Sequence, residues 1–294
     1  FNLTSLEKLL PEQAADLKEL LISEFGMDVK VPVSVLRKHS DQRVRDLGEF
    51  IFQNIYLNYT TKQWGDKPEN LDFETITARV PVHLSYDDRY FQESHQALPK
   101  KGYTAMFANM LLNPNVEVRL NTKAHDVLRF DVEAGKILLD GEEFTGDVIY
   151  TGAVDELFNY AYGELPYRSL RFDLETHDMD LYQPTATVNY PNSEQFTRIT
   201  EYKHLMGVKP EKTTIMKEYP QEYDRNVPSK SIPYYPIPKD TNAELYARYV
   251  ELAKTFANLK LVGRLAEYRY YDMNNIIERA LDVFDTDFDE NKKK

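Results

Sequence analysis

The first 75 residues repeat apolar and polar positions with the period of amphipathic helices. The stretch PEQAADLKELLISEF places Pro11 in a first helical turn and stops at Gly26. Ser40 is a residue type that caps helix N-termini, and it precedes a second helix with four apolar residues on one face, Val44, Leu47, Ile51 and Ile55. The pattern predicts a helical domain over 4–75, in which the weakly periodic segment 27–45 is a candidate mobile lid.

The pattern changes to short alternating strands from about residue 78. ARVPVHLSY and YFQ come first, and RSLRFDLET, TATVNY, TRITEYKH and TTIMKEY follow between residues 166 and 219, separated by Pro, Asn and Asp turns. Strands of this length joined by such turns favour antiparallel pairing. We predict an antiparallel sheet domain made of 76–97 and 164–240.

Helix and strand patterns alternate in two further parts of the chain. The first part contains YTAMFANMLL as a helix, VEVRL and DVIYTG as strands, and VDELFNYAYG as a helix. The second opens with a capping box, Thr241 and Glu244, and continues through a helix, the strand LKLVG and a final helix. We interpret 98–163 and 241–294 as parts of one α/β domain that the sheet interrupts, so the fold class is α/β with α+β insertions.

Composition narrows the classes of function. The 294 residues carry a formal net charge of -12, which argues against a nucleic-acid partner, and no apolar run approaches the length of a membrane span. The absence of cysteine removes disulfides and thiolate chemistry and is typical of a reducing compartment, so we expect the cytoplasm.

The most informative stretch is LKLVGRLAEYRYYDMNNII, residues 259–277. An apolar strand runs into a Gly-Arg turn, and three tyrosines, an aspartate and a helix follow. A strand that ends in glycine before a helix can leave backbone N–H groups open to an anion. This crowding of polar groups at one junction predicts a site for a nucleotide or dinucleotide.

Several familiar catalytic motifs are absent from the sequence. It contains no GxSxG, HExxH, GxxxxGK[ST] or GxGxxG, and its six histidines are scattered, so we predict no metal site. What recurs is arginine with tyrosine near strand ends, at Arg79, Tyr90, Arg198, Tyr235 and Tyr270. Such groups could clamp a diphosphate, or each arginine could form a structural ion pair. The single tryptophan, Trp64, could stack on a base or pack in the core.

These segments together resemble the UDP-galactopyranose mutase family of flavoenzymes. The matching pieces run in order along the chain: YTTKQWG (59–65), ARVPV (78–82), DDRYF (87–91), LPKKGYTAMF (98–107), IYTG (149–152), GELPYRSLRF (163–172), ATVNYP (186–191), TRITEYKH (197–204), KEYP (217–220), PYYPIP (233–238) and GRLAEYRYYDM (263–273).

The resemblance implies a three-part fold: an FAD-binding Rossmann-like domain, a helical domain with a lid, and a six-stranded antiparallel sheet. It also implies an isomerase that converts UDP-galactopyranose to UDP-galactofuranose through a sugar adduct on N5 of reduced FAD. The product enters cell wall polysaccharide biosynthesis in this family. The expected partner is a UDP-galactose-type nucleotide sugar, and a homodimer is a further possibility.

The resemblance assigns roles to residues by their motif positions. Arg79 and Arg198 would bind the diphosphate and act electrostatically in catalysis. The hydroxyl donors to the diphosphate would be Tyr90, Tyr235 and Tyr270. The uridine and sugar would contact Tyr59, Thr60, Trp64 and Asn189. The cofactor would be held by Thr151, Gly152, Gly263, Arg264, Asp272 and Met273. No metal is implied.

The chain departs from the family pattern at several points. Its first residues match a position well inside that pattern, so the strand, GxGxxG and following acidic residue of the flavin-binding segment, roughly 80–90 residues, are expected to be missing and the Rossmann-like domain incomplete. Ala161 stands where arginine is usual, and Asn58 where glycine is usual.

Two other functions remain open at this point. One is another FAD-dependent oxidoreductase of amine-oxidase-like architecture, which would need a hydrophobic substrate cavity. The other is a non-catalytic remnant that binds UDP-sugars.

Overall fold

The computed structural model describes residues 1–71, 77, 80–206, 210–228 and 230–288. They form two units: Phe1–Phe107 with Phe172–Pro220, and Ala108–Arg171 with Gln221–Lys294. We call these the first and the second unit. The boundary falls inside two long strands, Tyr167–His177 and Thr213–Glu222, and inside the helix Gly102–Met110.

The N-terminal part of the first unit is helical, as the apolar period predicts. Its helices are Leu3–Leu9, Ala14–Phe25, Val33–Arg37, Gln42–Ile51 and Leu57–Trp64, with a π-helical turn at Phe52–Tyr56 and a 3-10 turn at Pro68–Asn70. The apolar faces of these helices form one core that includes Leu6, Leu17, Leu21, Val44, Leu47 and Ile51. Among the described residues, no helix has both the length and the apolar character that crossing a membrane requires.

The segment predicted as a lid is packed in this structure. Lys30–Val31 pairs antiparallel with Val82–His83, and Val33 and Leu36 are fully buried. Its movement remains a prediction.

The strands of the sheet insertion confirm most of the predicted antiparallel pattern. The described residues form a five-stranded sheet in the order Tyr235–Pro236, Tyr167–His177, Thr213–Glu222, Arg198–Glu201 and Thr187–Asn189. In the first unit Arg198–Glu201 lies between two antiparallel neighbours. In the second unit Tyr235–Pro236 pairs antiparallel with the start of Tyr167–His177.

The second unit contains the α/β elements. Val148–Tyr150 and Leu259–Leu261 pair in parallel, and a three-stranded antiparallel sheet consists of Leu128–Asp131, Lys136–Leu139 and Glu142–Glu143. The helices here are Ala124–Val127, Val154–Leu157, Asp240–Ala253 and Met273–Asp287. Their core includes Val154, Leu165, Tyr249 and Phe256. The last helix leaves a line of apolar side chains more than half exposed, Met273, Ile277, Leu281 and Phe284.

Both predicted helix caps are wrong. Asp41, not Ser40, is the N-cap, and its carboxylate accepts the N–H of Arg43 at 2.8 Å. A carboxylate favours the positive end of the helix more than a hydroxyl does. The later helix begins at Asp240, and its N-cap is Lys239, which makes no side-chain cap hydrogen bond. Thr241 therefore lies inside the first turn and cannot form a capping box with Glu244.

Three predicted elements are absent or shorter. VEVRL is not a strand: residues 116–120 have no strand conformation in this structure, and Val116, Val118 and Leu120 are exposed. YFQ likewise forms no strand. The helix predicted over 154–163 ends at Leu157, because Asn159 and Tyr160 adopt positive φ values of 50° and 57°, a conformation that stops a right-handed helix.

We expect Gly48→Ala to destabilise the first unit. A Cβ at Gly48 would lie 2.7 Å from the backbone nitrogen of Arg37 and 2.9 Å from the carbonyl carbon of Leu36, so the helices Val33–Arg37 and Gln42–Ile51 would have to separate. Overpacking of this kind costs about 1–3 kcal/mol of unfolding free energy, measurable by urea denaturation. Asp46→Ala, on the exposed face of the same helix, is the control and should change stability by less than about 0.5 kcal/mol. Equal stability of the two variants would show that the helices do not approach so closely.

Candidate active site

The first group of predicted site residues centres on Arg198, the first residue of a strand between two others. Cross-strand register places Asn189 directly opposite it on one neighbour and Glu218 directly opposite on the other. Its Nε donates to Asn189 Oδ1 at 3.1 Å, and its Nη1 lies 3.8 Å from Glu218 Oε1. The three side chains therefore form a polar row across the strands of the first unit.

The electrostatics of this row depend on burial. The side chain of Glu218 is 12% exposed and that of Arg198 is 31% exposed. Burial raises the pKa of Glu218, and the neighbouring charge of Arg198 opposes that rise. Arg198 is thus oriented by an amide and a carboxylate while its guanidinium stays accessible from solvent, an arrangement that suits an oxyanion ligand.

A buried carboxylate on the same strand determines which face Arg198 occupies. Glu201 is fully buried, and it accepts the N–H groups of Tyr182 and Gln183, both at 2.9 Å, and the hydroxyl of Thr213. Although burial raises the pKa of Glu201, these hydrogen bonds lower it overall. Because side chains alternate along a strand, a core-facing Glu201 and Ile199 leave Arg198 and Thr200 on the opposite face.

Three of the four predicted uridine and sugar residues lie on the helix Leu57–Trp64 of the same unit. Tyr59 is half-buried, but Thr60 and Trp64 are 1% and 7% exposed, so both pack in the protein interior in this structure. The helix follows a π-helical turn and ends at Gly65, whose φ of 68° is a left-handed conformation that terminates helices.

Another predicted residue of the first unit, Tyr90, lies at the surface. Tyr90 is 64% exposed and packs edge-on against Phe91, with ring centroids 4.9 Å apart. Arg79 lies outside the described residues, so its role remains a prediction.

In the second unit the structure brings Tyr235, Tyr270 and Arg264 together. The two tyrosine rings are nearly parallel, 17° apart, with centroids separated by 6.0 Å. The guanidinium carbon of Arg264 lies 4.5 Å from the centre of the Tyr270 ring and 5.4 Å from that of Tyr235. Arg264 also donates to the carbonyls of Tyr234 and Tyr271, so it orders the tyrosine pair.

The two strand ends predicted to hold a cofactor lie side by side, but the N–H of Gly263 is already hydrogen-bonded within the chain. The parallel pairing brings Thr151 and Gly263 side by side at the carboxyl edge, where nucleotides bind in α/β folds. The N–H of Gly263, however, donates to the Glu267 carboxylate at 2.9 Å. In this structure Glu267, four residues further on, therefore occupies the Gly263 amide, and the predicted role of Gly263 in holding a cofactor remains a prediction.

The remaining predicted cofactor residues are at the N-terminus of the last helix and at a strand end. Asp272 is the N-cap of the long helix Met273–Asp287, but its side chain accepts the Tyr270 hydroxyl at 2.9 Å and makes no cap hydrogen bond. The Asp272 side chain therefore does not occupy the first N–H groups of that helix, which are the groups that bind anions at helix N-termini. Met273 is exposed, and Gly152 has no room for a Cβ because the Tyr150 ring lies against it. That this helix terminus and strand edge bind a dinucleotide remains a prediction.

Elsewhere in the described part of the chain, no three His, Asp or Glu side chains are grouped as they would be around a metal ion.

Comparison with known proteins places these residues in a family. The family model described as UDP-galactopyranose mutase matches residues 54–270. The chain belongs to the UDP-galactopyranose mutase family. It is therefore an isomerase of the intramolecular transferase class. The match includes every predicted substrate residue and ends just before Asp272 and Met273.

Individual relatives agree with the family assignment. The chain is 34% identical to UDP-galactopyranose mutase of Mycoplasma genitalium, covering 94% of this chain and 68% of the relative. It is 31% identical to dTDP-fucopyranose mutase of Escherichia coli, covering 90% of this chain and 67% of the relative. A crystal structure of reduced UDP-galactopyranose mutase superposes with a TM-score of 0.57 at 16% identity, over 88% of this chain and 69% of that one, and supports the mixed α/β fold.

We expect Arg198→Ala to change the pH dependence of stability through Glu218. The folded-state pKa of Glu218 is raised above its ordinary value of 4.5, so between that value and the raised one the folded chain holds more protons than the unfolded chain. Stability therefore falls as pH rises through this window. Removing Arg198 raises the pKa further and extends the fall to higher pH.

Urea unfolding between about pH 4 and 8 measures this effect, with Arg198→Lys as the control that keeps the positive charge. If the pH profile of Arg198→Ala, normalised at low pH, superposed on that of the wild type, Arg198 and Glu218 would not be coupled.

Proposed function

We propose that this chain acts on UDP-galactopyranose and isomerises it to UDP-galactofuranose with reduced FAD as cofactor. The observation that carries the proposal is the Asn189–Arg198–Glu218 row, which lies within the part of the chain that the family model matches. Its single guanidinium is oriented by neighbours on both sides and faces solvent, as a diphosphate-binding group must.

The substrate's diphosphate explains why arginine and tyrosine are the residue types required. A diphosphate leaving group carries negative charge that must be stabilised when the bond to the sugar breaks. We assign that role to Arg198, and to Arg79 by its motif position, with hydroxyl hydrogen bonds from Tyr90, Tyr235 and Tyr270. Asn189, Tyr59, Thr60 and Trp64 are proposed on the uridine and sugar side.

The cofactor is proposed from the family and from the geometry of the second unit. Reduced flavin, when bound, supplies the nucleophile for the anomeric carbon. Three places in the second unit would bind and orient it: one strand end with Thr151 and Gly152, the other with Gly263 and Arg264, and the helix N-terminus with Asp272 and Met273. Because the Gly263 N–H already has Glu267 as its acceptor, we expect the helix terminus to provide the phosphate contact.

We infer the nucleotide base and the sugar of the substrate from the relatives. The relatives include mutases named for UDP-galactopyranose and for dTDP-fucopyranose, which share a nucleoside diphosphate attached to a hexopyranose. We favour UDP-galactopyranose because the family description and the Mycoplasma relative both name it. We propose the cytoplasm as the compartment, since the chain contains no cysteine, and cell wall polysaccharide synthesis as the fate of the product.

We expect Arg198→Ala to weaken binding of UDP by roughly 10- to 150-fold, because a charge-assisted hydrogen bond contributes about 1.5–3 kcal/mol. Isothermal titration of the chain with UDP measures this directly and needs no cofactor. Arg43→Ala, an exposed arginine of the same unit paired with Asp41, is the matched control and should bind UDP as the wild type does. Unchanged affinity in Arg198→Ala would place the diphosphate elsewhere.

Turnover separates an enzyme from a binding protein. We expect the chain, with FAD reduced by dithionite, to convert UDP-galactopyranose and UDP-galactofuranose into each other, as chromatography of the two sugar nucleotides would show. Tight binding of UDP-galactose with no conversion would instead support the non-catalytic UDP-sugar-binding alternative. Faster conversion of dTDP-fucopyranose would reassign the substrate within the same reaction.

A further inference from the structure

A lysine outside the predicted site makes three contacts to one turn. Lys62 lies on the helix Leu57–Trp64, and its ammonium nitrogen is 2.6 Å from the carbonyl oxygen of Tyr190, 2.9 Å from that of Glu194 and 3.2 Å from that of Phe196. An ammonium group has three N–H donors, so three carbonyls can be bound at once. Lys62 is half-buried, and burial lowers its pKa while the Glu194 charge opposes the change.

The turn that Lys62 binds joins two of the three strands that carry the Asn189–Arg198–Glu218 row. Residues 190–197 connect Thr187–Asn189 to Arg198–Glu201, and the pair that closes this hairpin is Asn189 opposite Arg198. The N–H of Tyr190 donates to Thr197 at 2.9 Å, and the Tyr190 and Phe196 rings pack edge-on. Lys62 binds carbonyls on both arms of the turn, so it restrains the hairpin end from which Asn189 and Arg198 extend.

Two asparagines on the same side of this helical segment add to the attachment. Asn54, Asn58 and Lys62 follow each other at intervals of four residues, which places them on one face. Asn192 in the turn donates to the Asn54 carbonyl at 3.2 Å, and Asn58 donates to the Asn192 side chain at 3.3 Å. Asn58 is the residue that stands where glycine is usual in the family pattern, and its side chain makes a contact here that glycine could not make.

We propose that Lys62 is a positioning residue for nucleotide-sugar binding: it attaches the 190–197 turn to the helix Leu57–Trp64 and so holds Arg198 in the orientation that binds the diphosphate. The role of Arg198 in this inference rests on the proposed function. The Lys62 ammonium group binds backbone carbonyls of the turn, so its effect on the ligand passes through the hairpin.

The test compares Lys62→Met, which keeps the aliphatic stem and removes the ammonium group, with Lys18→Met. Lys18 is a helical lysine of the same unit whose ammonium pairs with Glu7 at the surface, so it controls for loss of a charged group. In the ligand-free chain we expect hydrogen exchange of the 190–197 amides to rise about tenfold in Lys62→Met and to stay unchanged in Lys18→Met. We also expect UDP affinity to fall about tenfold in Lys62→Met only.

A double-mutant cycle shows whether Lys62 acts through Arg198. If it does, Lys62→Met should cause little further loss of UDP affinity in the Arg198→Ala background. If Lys62 acted independently of Arg198, the fold-loss of UDP affinity in the double variant would equal the product of the losses in the two single variants. That result would overturn the proposal. Should Lys62→Met fail to fold, Lys62→Gln, which keeps an N–H donor at a shorter reach, takes its place in both measurements.

The outcomes separate this inference from the proposed function. If the wild-type chain fails to bind UDP, the proposed function fails, and amide exchange in Lys62→Met still decides whether Lys62 holds the turn. If the wild type binds UDP and exchange in the 190–197 turn is the same in Lys62→Met, the positioning role is wrong and the proposed function stands.

Discussion

The proposed diphosphate site depends on the register of three strands around Arg198. A slip of one residue would turn Arg198 into the core and expose Ile199, because side chains alternate between the faces of a sheet. Ile199 and Glu201, both buried, resist that slip, and the hydrogen bonds of Glu201 to Tyr182, Gln183 and Thr213 add a polar constraint that only one register satisfies.

The groups suited to bind an anion already have acidic neighbours within the chain. Arg198 lies near Glu218, the Gly263 N–H donates to Glu267, and the Tyr270 hydroxyl donates to Asp272. These carboxylates orient the donors, and they also repel an incoming phosphate. The affinity for a phosphate ligand therefore reflects the free energy gained from the new contacts minus the free energy lost when the internal contacts weaken. Substitution of an acidic partner should then raise the affinity, and substitution of a donor should lower it.

Sequence patterns predicted the elements better than they predicted the contacts. The pattern of apolar and polar residues was sufficient to predict the strands Tyr167–His177, Thr213–Glu222, Val148–Tyr150 and Leu259–Leu261, because it depends on neighbouring residues only. The caps were misplaced by one or two residues because Ser, Thr and Asp compete for the same helix end. Arg198 could be identified from its motif. Glu218 and Lys62 could not be identified in this way, because their contacts come from strand register and from pairs as distant as 134 positions along the chain.

Binding of the diphosphate by Arg198 is tested most directly by the side-chain NMR signal of Arg198. The chain is labelled with ¹⁵N-arginine and titrated with UDP and, separately, with uridine. We expect UDP to shift the Arg198 Nε–H resonance and to slow its exchange with water, whereas uridine, which lacks the diphosphate, should leave it unchanged. A resonance that stays in place at saturating UDP would show that Arg198 does not bind the diphosphate.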